Sequence, residues 1–431
     1  MITKRITALR KPRFEYDRVE AVLPEHRSVS TPGEVTLYLE VTTPEPAIYK
    51  GLLTSEKGEK VKTGQKISLS EDSGQYVVST VTGAVSSISI HTGDFGKSYI
   101  AISIRAEGEE VFDEQFEKFA LNPTLDTARD FLSCAPGKPP LHASFGSEKS
   151  IQTIVVCGVD SDIFISTNRY GVTTQFNAIK KGIHILKAIT GVDNIILAVP
   201  QDVMHGYTGI DALVKAVPIR YPATLPKMMM QNLLGQVVPV GKNVEDLGVS
   251  FFSAEAVASI GIAFKGGRIP VSKRLTLIGK DGGTTLLSVR IGTPLRDIFE
   301  ASNIILNEKD RIVLGGPMRG AAIYSEDHTV LSDTDAIMVQ DKNNLPYVSD
   351  DPCINCGECV RICPAKIQVN MLVRYIEAGH YEESADQYDL HSCIECGLCS
   401  FVCVAKIPVF QHIRLAKFEL SRMDTAEANH A

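Results

Sequence analysis

The chain has 431 residues, 44% of them hydrophobic and 22% charged, with a formal net charge of -7. That length holds several domains with well-buried cores, and an acidic balance without a basic stripe excludes nucleic acid as a partner. No apolar run approaches the roughly 18 residues of a membrane-spanning helix. The basic start, MITKRITALRKPRFEYDRVEAV, lacks the apolar stretch of a secretory signal. It reads as a solvated arm, with contact to acidic lipid or a neighbouring protein of a complex as the alternative.

From about 30 to 110 the pattern is all-β. Alternating runs such as Val35 to Leu39 and Ile100 to Ile104 are separated by glycine-rich turns. Within it, GEKVKTGQKI (Gly58 to Ile67) and STVTGAVSSI (Ser79 to Ile88) resemble the two halves of a barrel-sandwich of the biotinyl/lipoyl type. Carriers of that type present a modified lysine at a hairpin tip, and the corresponding turn, Glu71 to Gln75, has no lysine. The expectation is an unmodified structural or docking module.

Residues 111–265 read as a connecting region followed by a Rossmann-like domain. The connection ends in CAPGKPPLHASFGS, where Cys134 stands alone as a plain thiol. Thr153 to Cys157 is a buried strand. Phe176, Ile179, Ile183, Leu186 and Ile189 share a helical face, and Asn194 to Val199 is the next strand. This βαβ order implies a parallel sheet, whose ligands bind beyond the carboxyl ends of the strands. The loop there is Gly158-Val159-Asp160-Ser161-Asp162, and no G-x-G-x-x-G follows the strand. Asp160 and Asp162 are cofactor contacts if a flavin site is retained, and otherwise simple loop acids. Cys157 and the Met228-Met229-Met230 stripe read as packing. Ser253 caps a small-residue helix running through Ile262 to a stop at Gly266-Gly267.

Residues 266–340 suit a β-grasp segment. Arg274 to Gly279 and Thr284 to Arg290 form a hairpin, and Thr293-Pro294 supplies the N-cap and first residue of a helix with Leu295, Ile298 and Phe299 inward. The strand Arg311 to Leu314 then meets the turn Gly315-Gly316-Pro317-Met318-Arg319-Gly320, which is either an anion cradle or a packing turn.

A polar linker, DKNNLPYVSDDP, opens the last region, 341–431. It holds eight of the ten cysteines in two copies of C-x2-C-x2-C-x3-C offset by 40 residues, CINCGECVRICPAKIQV and CIECGLCSFVCVAKIPV. The copies agree at 10 of 17 positions, which marks an internal duplication. A [4Fe–4S] cubane needs four converging thiolates, and this spacing is its bacterial ligand pattern. Zinc usually takes two separated pairs, and disulfides suit small secreted chains. The metal-ligand set is therefore Cys353, Cys356, Cys359, Cys363, Cys393, Cys396, Cys399 and Cys403, for two [4Fe–4S] clusters. Gly357 and Gly397 sit where the backbone turns tightly. Ile367, Met371, Leu372, Tyr375 and Ile376 form an apolar helical face that Gly379 stops, and Pro408 opens a helix with Val409, Ile413, Ala416 and Leu420 on one side. This predicts an α-helical two-cluster ferredoxin domain. In two-cluster ferredoxins the fourth cysteine of each run serves the other cluster. That resemblance implies Cys353, Cys356, Cys359 and Cys403 for one centre, and Cys393, Cys396, Cys399 and Cys363 for its partner.

The fold class is thus multidomain α/β plus β, and the order of modules resembles the C subunit of the Rnf electron-transport complex. RLTLIGKDGG, VRIGTPLRDIF, VLGGPMRG and CINCGECVRICP carry the resemblance, and the β-grasp segment is then of the soluble-ligand-binding (SLBB) type. The resemblance implies a peripheral protein on the cytoplasmic face of a membrane-bound, ion-pumping oxidoreductase. Its partners would be the membrane subunits and ferredoxin or another electron carrier. Members that use FMN and NAD carry G-x-G-G-A-G-F-P before the first Rossmann strand and E-x-E-P after it. Here those regions read SCAPGKPPLHAS and GVDSDIFIS, more like the A subunit of the sodium-translocating quinone reductase, a relative without clusters. The cysteines carry over from the family, whereas the FMN and NAD site does not. The leading function is single-electron conduction within a complex. The alternatives are a free-standing NAD(P)H- or flavin-dependent reductase, of a corrinoid for example, and a scaffold whose clusters stabilise docking.

Overall fold

A computed structural model describes residues 9, 14, 23–41, 57–68, 75–93, 97–141, 145, 151–204 and 206–430. Strand β1 (His26–Ser28) is followed by β2 (Glu34–Val41), β3 (Lys60–Val61), β4 (Lys66–Ser68), β5 (Tyr76–Val78), β6 (Gly83–Thr92) and β7 (Ser98–Ala106). The strands β2, β7, β6 and β3 make an antiparallel sheet in that order, and β4 pairs with β5. Strand β2 alternates as its sequence requires, with Val35, Leu37, Leu39 and Val41 buried. They meet Ile67, Val85, Ile100, Ile102 and Ile104 in one core. Residues 71–74, at the tip where a carrier would present its lysine, lie outside the described residues, as does nearly all of the basic start.

Two short helices, α1 (Glu117–Ala120) and α2 (Leu125–Leu132), lead to a second sheet. Its elements are β8 (Thr153–Cys157), α3 (Thr167–Thr174), α4 (Phe176–Thr190), β9 (Asn194–Pro200), β10 (Leu213–Val217), α5 (Pro226–Leu234), β11 (Val249–Ser253) and α6 (Ala254–Gly266). The order β10-β9-β8-β11 is parallel throughout. Both faces are covered, as an all-parallel sheet demands. Ile154 and Val156 face Ile179, Ile183, Leu186 and Val257 on one side; Val155 faces Met229 and Met230 on the other. Helices α4 and α6 approach backbone to backbone. A Cβ on Gly261 would stand 2.1 Å from the Ala178 carbonyl, and one on Gly182 2.0 Å from that of Val257. Helix α3 is an element that the apolar spacing did not reveal, because its buried residues are Thr167, Asn168, Gly171 and Val172.

The third sheet contains β12 (Ser272–Ile278), β13 (Thr284–Arg290), β14 (Arg311–Leu314), β15 (Ala321–Ile323) and β16 (Ala336–Gln340), with α7 (Leu295–Ala301) between β13 and β14. Its order is β1-β13-β12-β16-β14-β15. The far N-terminal β1 joins as a parallel edge beside β13. Leu295, Ile298 and Phe299 of α7 fill its core. The helix starts one residue later than its sequence suggests: Pro294 is the N-cap, and the Thr293 hydroxyl donates to the Arg290 carbonyl instead. Sheets two and three are joined by a buried ion pair. Lys273 Nζ donates to Glu255 at 2.8 Å and to the Ser332 carbonyl at 3.2 Å, with its side chain 0% exposed. The other Glu255 oxygen accepts from the Arg274 N–H.

The C-terminal part is helical, with α8 (Glu358–Ile362), α9 (Val369–Glu377), α10 (Tyr381–Tyr388), α11 (Leu398–Phe401) and α12 (Val409–His430). The spacer differs from expectation in register and count. Helix α9 buries Val369, Leu372, Val373 and Ile376, Met371 and Tyr375 are only partly covered, and α10 is a second helix in the same spacer. Their core includes residues from far upstream: Leu9, Phe14, Tyr221, Leu225, Met228 and Met318. Among the described residues no helix is long and apolar enough to cross a membrane.

Replacing Lys273 by Met strands a buried carboxylate, and should destabilise the protein by about 3–5 kcal/mol in anaerobic chemical denaturation. Lys273→Met combined with Glu255→Gln should recover part of that loss.

Candidate metal centres

The 40-residue duplication is visible in the backbone. Helices α8 and α11 begin at Glu358 and Leu398, and α9 and α12 at Val369 and Val409. Left-handed residues recur at matching positions: Asn355 and Glu395, Gly357 and Gly397, Lys366 and Lys406. Each copy wraps three cysteines round a tight turn and a short helix, then places the fourth just before a long helix.

The structure gathers the eight thiols into two sets. Cys353, Cys356, Cys359 and Cys403 line one cavity of about 370 Å³, open mouth included, with Ile354, Val373, Ile407 and Val409 as apolar walls. Burial, then the charges of Cys353, Cys356 and Cys403, push the Cys359 thiol up to about 11. The second set is Cys393, Cys396, Cys399 and Cys363. Burial and then the first, second and last of these raise the Cys399 thiol well above its ordinary value. Among the described residues no three His, Cys, Asp or Glu side chains are grouped as round a single metal ion. Four thiols round one cavity suit a cubane, which takes one cysteine at each of its four corners. Backbone N–H groups point at the sulfurs, including those of Ala365, Lys366 and Ile367 at Cys363 and of Leu398 at Cys396. Such bonds stabilise thiolate charge and tune an iron–sulfur centre.

The two sets are not equivalent. Cys356 is exposed, whereas Cys396 and Cys399 are buried. The first loop is held by its own neighbours, with Arg361 donating to the Cys356 carbonyl and Arg374 to that of Cys353. The second is also held from upstream. Tyr221 Oη donates to the Cys396 carbonyl at 2.6 Å, and Arg319 Nε to that of Glu395 at 3.1 Å. Lys417 Nζ donates to the Cys393 carbonyl at 3.2 Å. Gly397 lies against the Met318 carbonyl, 2.2 Å from where its Cβ would be.

The two loop acids after β8 face inward. Asp160 accepts from the N–H groups of Asn168 and Arg169 and the Thr167 hydroxyl at the start of α3, and burial pushes it up to about 7. Asp162 accepts from the N–H groups of Ile163, Met318 and Arg319. Burial raises it to about 6 against those bonds. The glycine-rich turn at 315–320 therefore does cradle an anion, and the anion is the chain's own. Cys134 donates to the Tyr76 carbonyl, and burial raises both it and Cys157, to about 11 and about 12.

The crevice beyond β8 and β11, where the strand order reverses, is the place for a flavin or dinucleotide phosphate. Described side chains and backbone occupy the helix end there. The first N–H of α6 donates to the Asn168 side chain, and the third to Ser253 Oγ. Gly137 presses onto the same end, 2.4 Å from Ala256 N at its Cβ position, and Val172 closes over Gly158. The described residues there do not fit a flavin phosphate.

Residues 352–407 match the model of the 4Fe-4S dicluster domain. The chain is 27% identical over 363 residues to the C subunit of the ion-translocating oxidoreductase complex of Buchnera aphidicola, covering 77% of this chain and 74% of the relative. It is 26% identical over 390 residues to the C subunit of the proton-translocating ferredoxin:NAD(+) oxidoreductase complex of Clostridium ljungdahlii, covering 84% of each. The Acetobacterium woodii Na(+)-translocating counterpart is 23% identical over 354 residues, 76% of this chain and 79% of that one. The chain resembles these C subunits. A chain of an NAD+-reducing [NiFe]-hydrogenase aligns at 14% identity and a TM-score of 0.45, over 71% of this chain and 65% of that one.

Gly397→Ala should cost about 1–3 kcal/mol by overpacking against Met318 and should loosen the second set of thiols. Gly357→Ala, which meets only the flexible end of Arg361 at 3.4 Å, should cost about 1 kcal/mol for its left-handed backbone. Iron retention and melting temperature of the two variants check the difference.

Proposed function

We propose that this chain is the iron–sulfur electron-transfer subunit of a membrane-associated oxidoreductase complex, with Cys353, Cys356, Cys359 and Cys403 holding one [4Fe–4S] cluster and Cys393, Cys396, Cys399 and Cys363 a second. The observation that carries this reading is the crossed gathering of the thiols, each set completed by the fourth cysteine of the other copy. When bound, such clusters accept and pass on single electrons. The chain's own part is to converge the thiolates, aim N–H groups at the sulfurs and keep one set under protein cover. The exposed Cys356 side faces outward for a docked partner, the buried Cys396 side inward.

We read the upstream chain as the seat for this conductor: a barrel-sandwich at 30–110, a Rossmann-like domain at 111–265 and a β-grasp segment at 266–340, with the cluster domain at 341–431. The order β13-β12-β16-β14-β15 with α7 packed on it supports the β-grasp reading. The third module takes in β1 as well. That Ser253, Asn168 and Gly137 take up the N-terminal end of α6 supports a reading without FMN or NAD. A reductase acting alone is correspondingly disfavoured. Membrane subunits of the complex are the expected partners and the cytoplasmic face its expected position, with ferredoxin a candidate electron carrier.

Anaerobically purified protein should contain about eight irons and release no flavin on acid denaturation, and NADH should not bleach the isolated chain. Cys363→Ala and Cys399→Ala should abolish the same low-temperature paramagnetic signal, and Cys359→Ala and Cys403→Ala the other. If each run of four loses its own cluster as a unit, the crossed assignment is wrong.

A further inference from the structure

The turn 315–320 lies between the second thiol loop and the loop acid Asp162. Both Asp162 oxygens are used. Oδ1 accepts from Ile163 N–H at 2.7 Å and Met318 N–H at 3.2 Å; Oδ2 accepts from Arg319 N–H at 2.8 Å and Met318 N–H at 3.2 Å. Its carboxyl carbon stands 2.4 Å from the place a Cβ on Gly316 would take, so the contact admits only glycine. On its opposite side the turn meets the thiol loop twice, through the Met318 carbonyl against Gly397 and through Arg319 Nε on the Glu395 carbonyl. Tyr221 Oη anchors the Cys396 carbonyl independently.

We propose that Asp162 is a positioning residue for the inner cluster alone: by clamping the 316–319 backbone it fixes the loop from Cys393 to Gly397, and so sets that cluster's hydrogen bonding and exposure. The proposal rests on the iron–sulfur reading given above. The internal repeat supplies the comparison. The Cys356 carbonyl, equivalent to that of Cys396, takes its bond from Arg361 of the same helical region, whereas the carbonyls of Cys353 and its equivalent Cys393 are both held from within that region, by Arg374 and Lys417. The second loop carries the N–H of Glu395 toward Cys393 Sγ at 3.4 Å, and that of Leu398 toward Cys396. N–H bonds to cluster sulfurs and solvent access are what set an iron–sulfur potential. A slack clamp therefore moves one potential and leaves the other in place.

The test uses the full chain, purified anaerobically, as Asp162→Asn and as Tyr221→Phe. Asp162→Asn keeps the shape but turns an amide N–H₂ toward backbone donors. The expected result is about eight irons retained, one of two reduction steps shifted in a redox titration, and the other unchanged. Amide exchange in 315–320 and 393–399 should quicken by about tenfold, as loss of a charge-assisted hydrogen bond implies. Tyr221→Phe should shift the same step without loosening 315–320. If 315–320 loosens while 393–399 and both steps hold still, Asp162 serves only the junction of the sheets and the proposal falls. Should Asp162→Asn fail to keep its iron, Arg319→Leu, which cuts the clamped turn from the Glu395 carbonyl and leaves Asp162 in place, decides: a shift of one step alone upholds the clamp, and no shift overturns it. A wild-type protein without iron would instead sink the functional reading on which the proposal stands.

Discussion

Everything in the C-terminal region depends on four thiols from two separate stretches of chain meeting in one place, twice. Because each set borrows its fourth cysteine from the other copy, neither run completes a site by itself. The helices that follow the fourth cysteines, α9 and α12, must therefore pack on each other. Their apolar faces do so through Leu372, Val373, Ile376, Phe410, Ile413 and Ala416 in a single core. Hydrophobic burial is thus what brings the sulfurs together, and the left-handed residues at 355/395, 357/397 and 366/406 shape the loops that aim them.

That core does not stop at the helices. Tyr221, Leu225, Met228 and Met318 enter it from the preceding sheets, so the thiol-bearing region is continuous with the rest of the fold. The seat is also polar. A carboxylate, a phenol, a guanidinium and an ammonium group satisfy backbone groups of the turn or of the inner loop. Buried carbonyls and N–H groups need such partners, and all but the ammonium group come from residues at least 76 positions away in sequence. The outer loop is closer to solvent, so that two copies of one spacing are physically different.

The parallel sheet shows the same reliance on contacts between modules. A helix N-terminus beyond a strand and a glycine-rich turn are both places where anions settle. In this chain side chains and backbone of the protein occupy both: Ser253, Asn168 and Gly137 at α6, Asp162 at the turn. A geometry suited to holding a ligand is here employed in joining one module to the next.

Much of this could be read from the chain alone. The eight cysteines and their duplication are covalent facts of spacing, and the strands β8, β9, β12, β13 and β14 declare themselves by apolar runs between turn residues. Local patterns failed where burial was polar or short: α3 hides behind Thr167 and Asn168, α7 starts one residue late, and β1 is exposed along its length. Asp160 and Asp162 were legible as acids in the right loop but not as inward-facing ones. The sequence by itself determined where the eight thiols lie along the chain and that they come as two copies of one spacing. Only the tertiary structure decided that the second copy is the one buried against the upstream modules, since the contacts that seat it join residues 156 and 175 positions apart, beyond the reach of any periodicity in the chain.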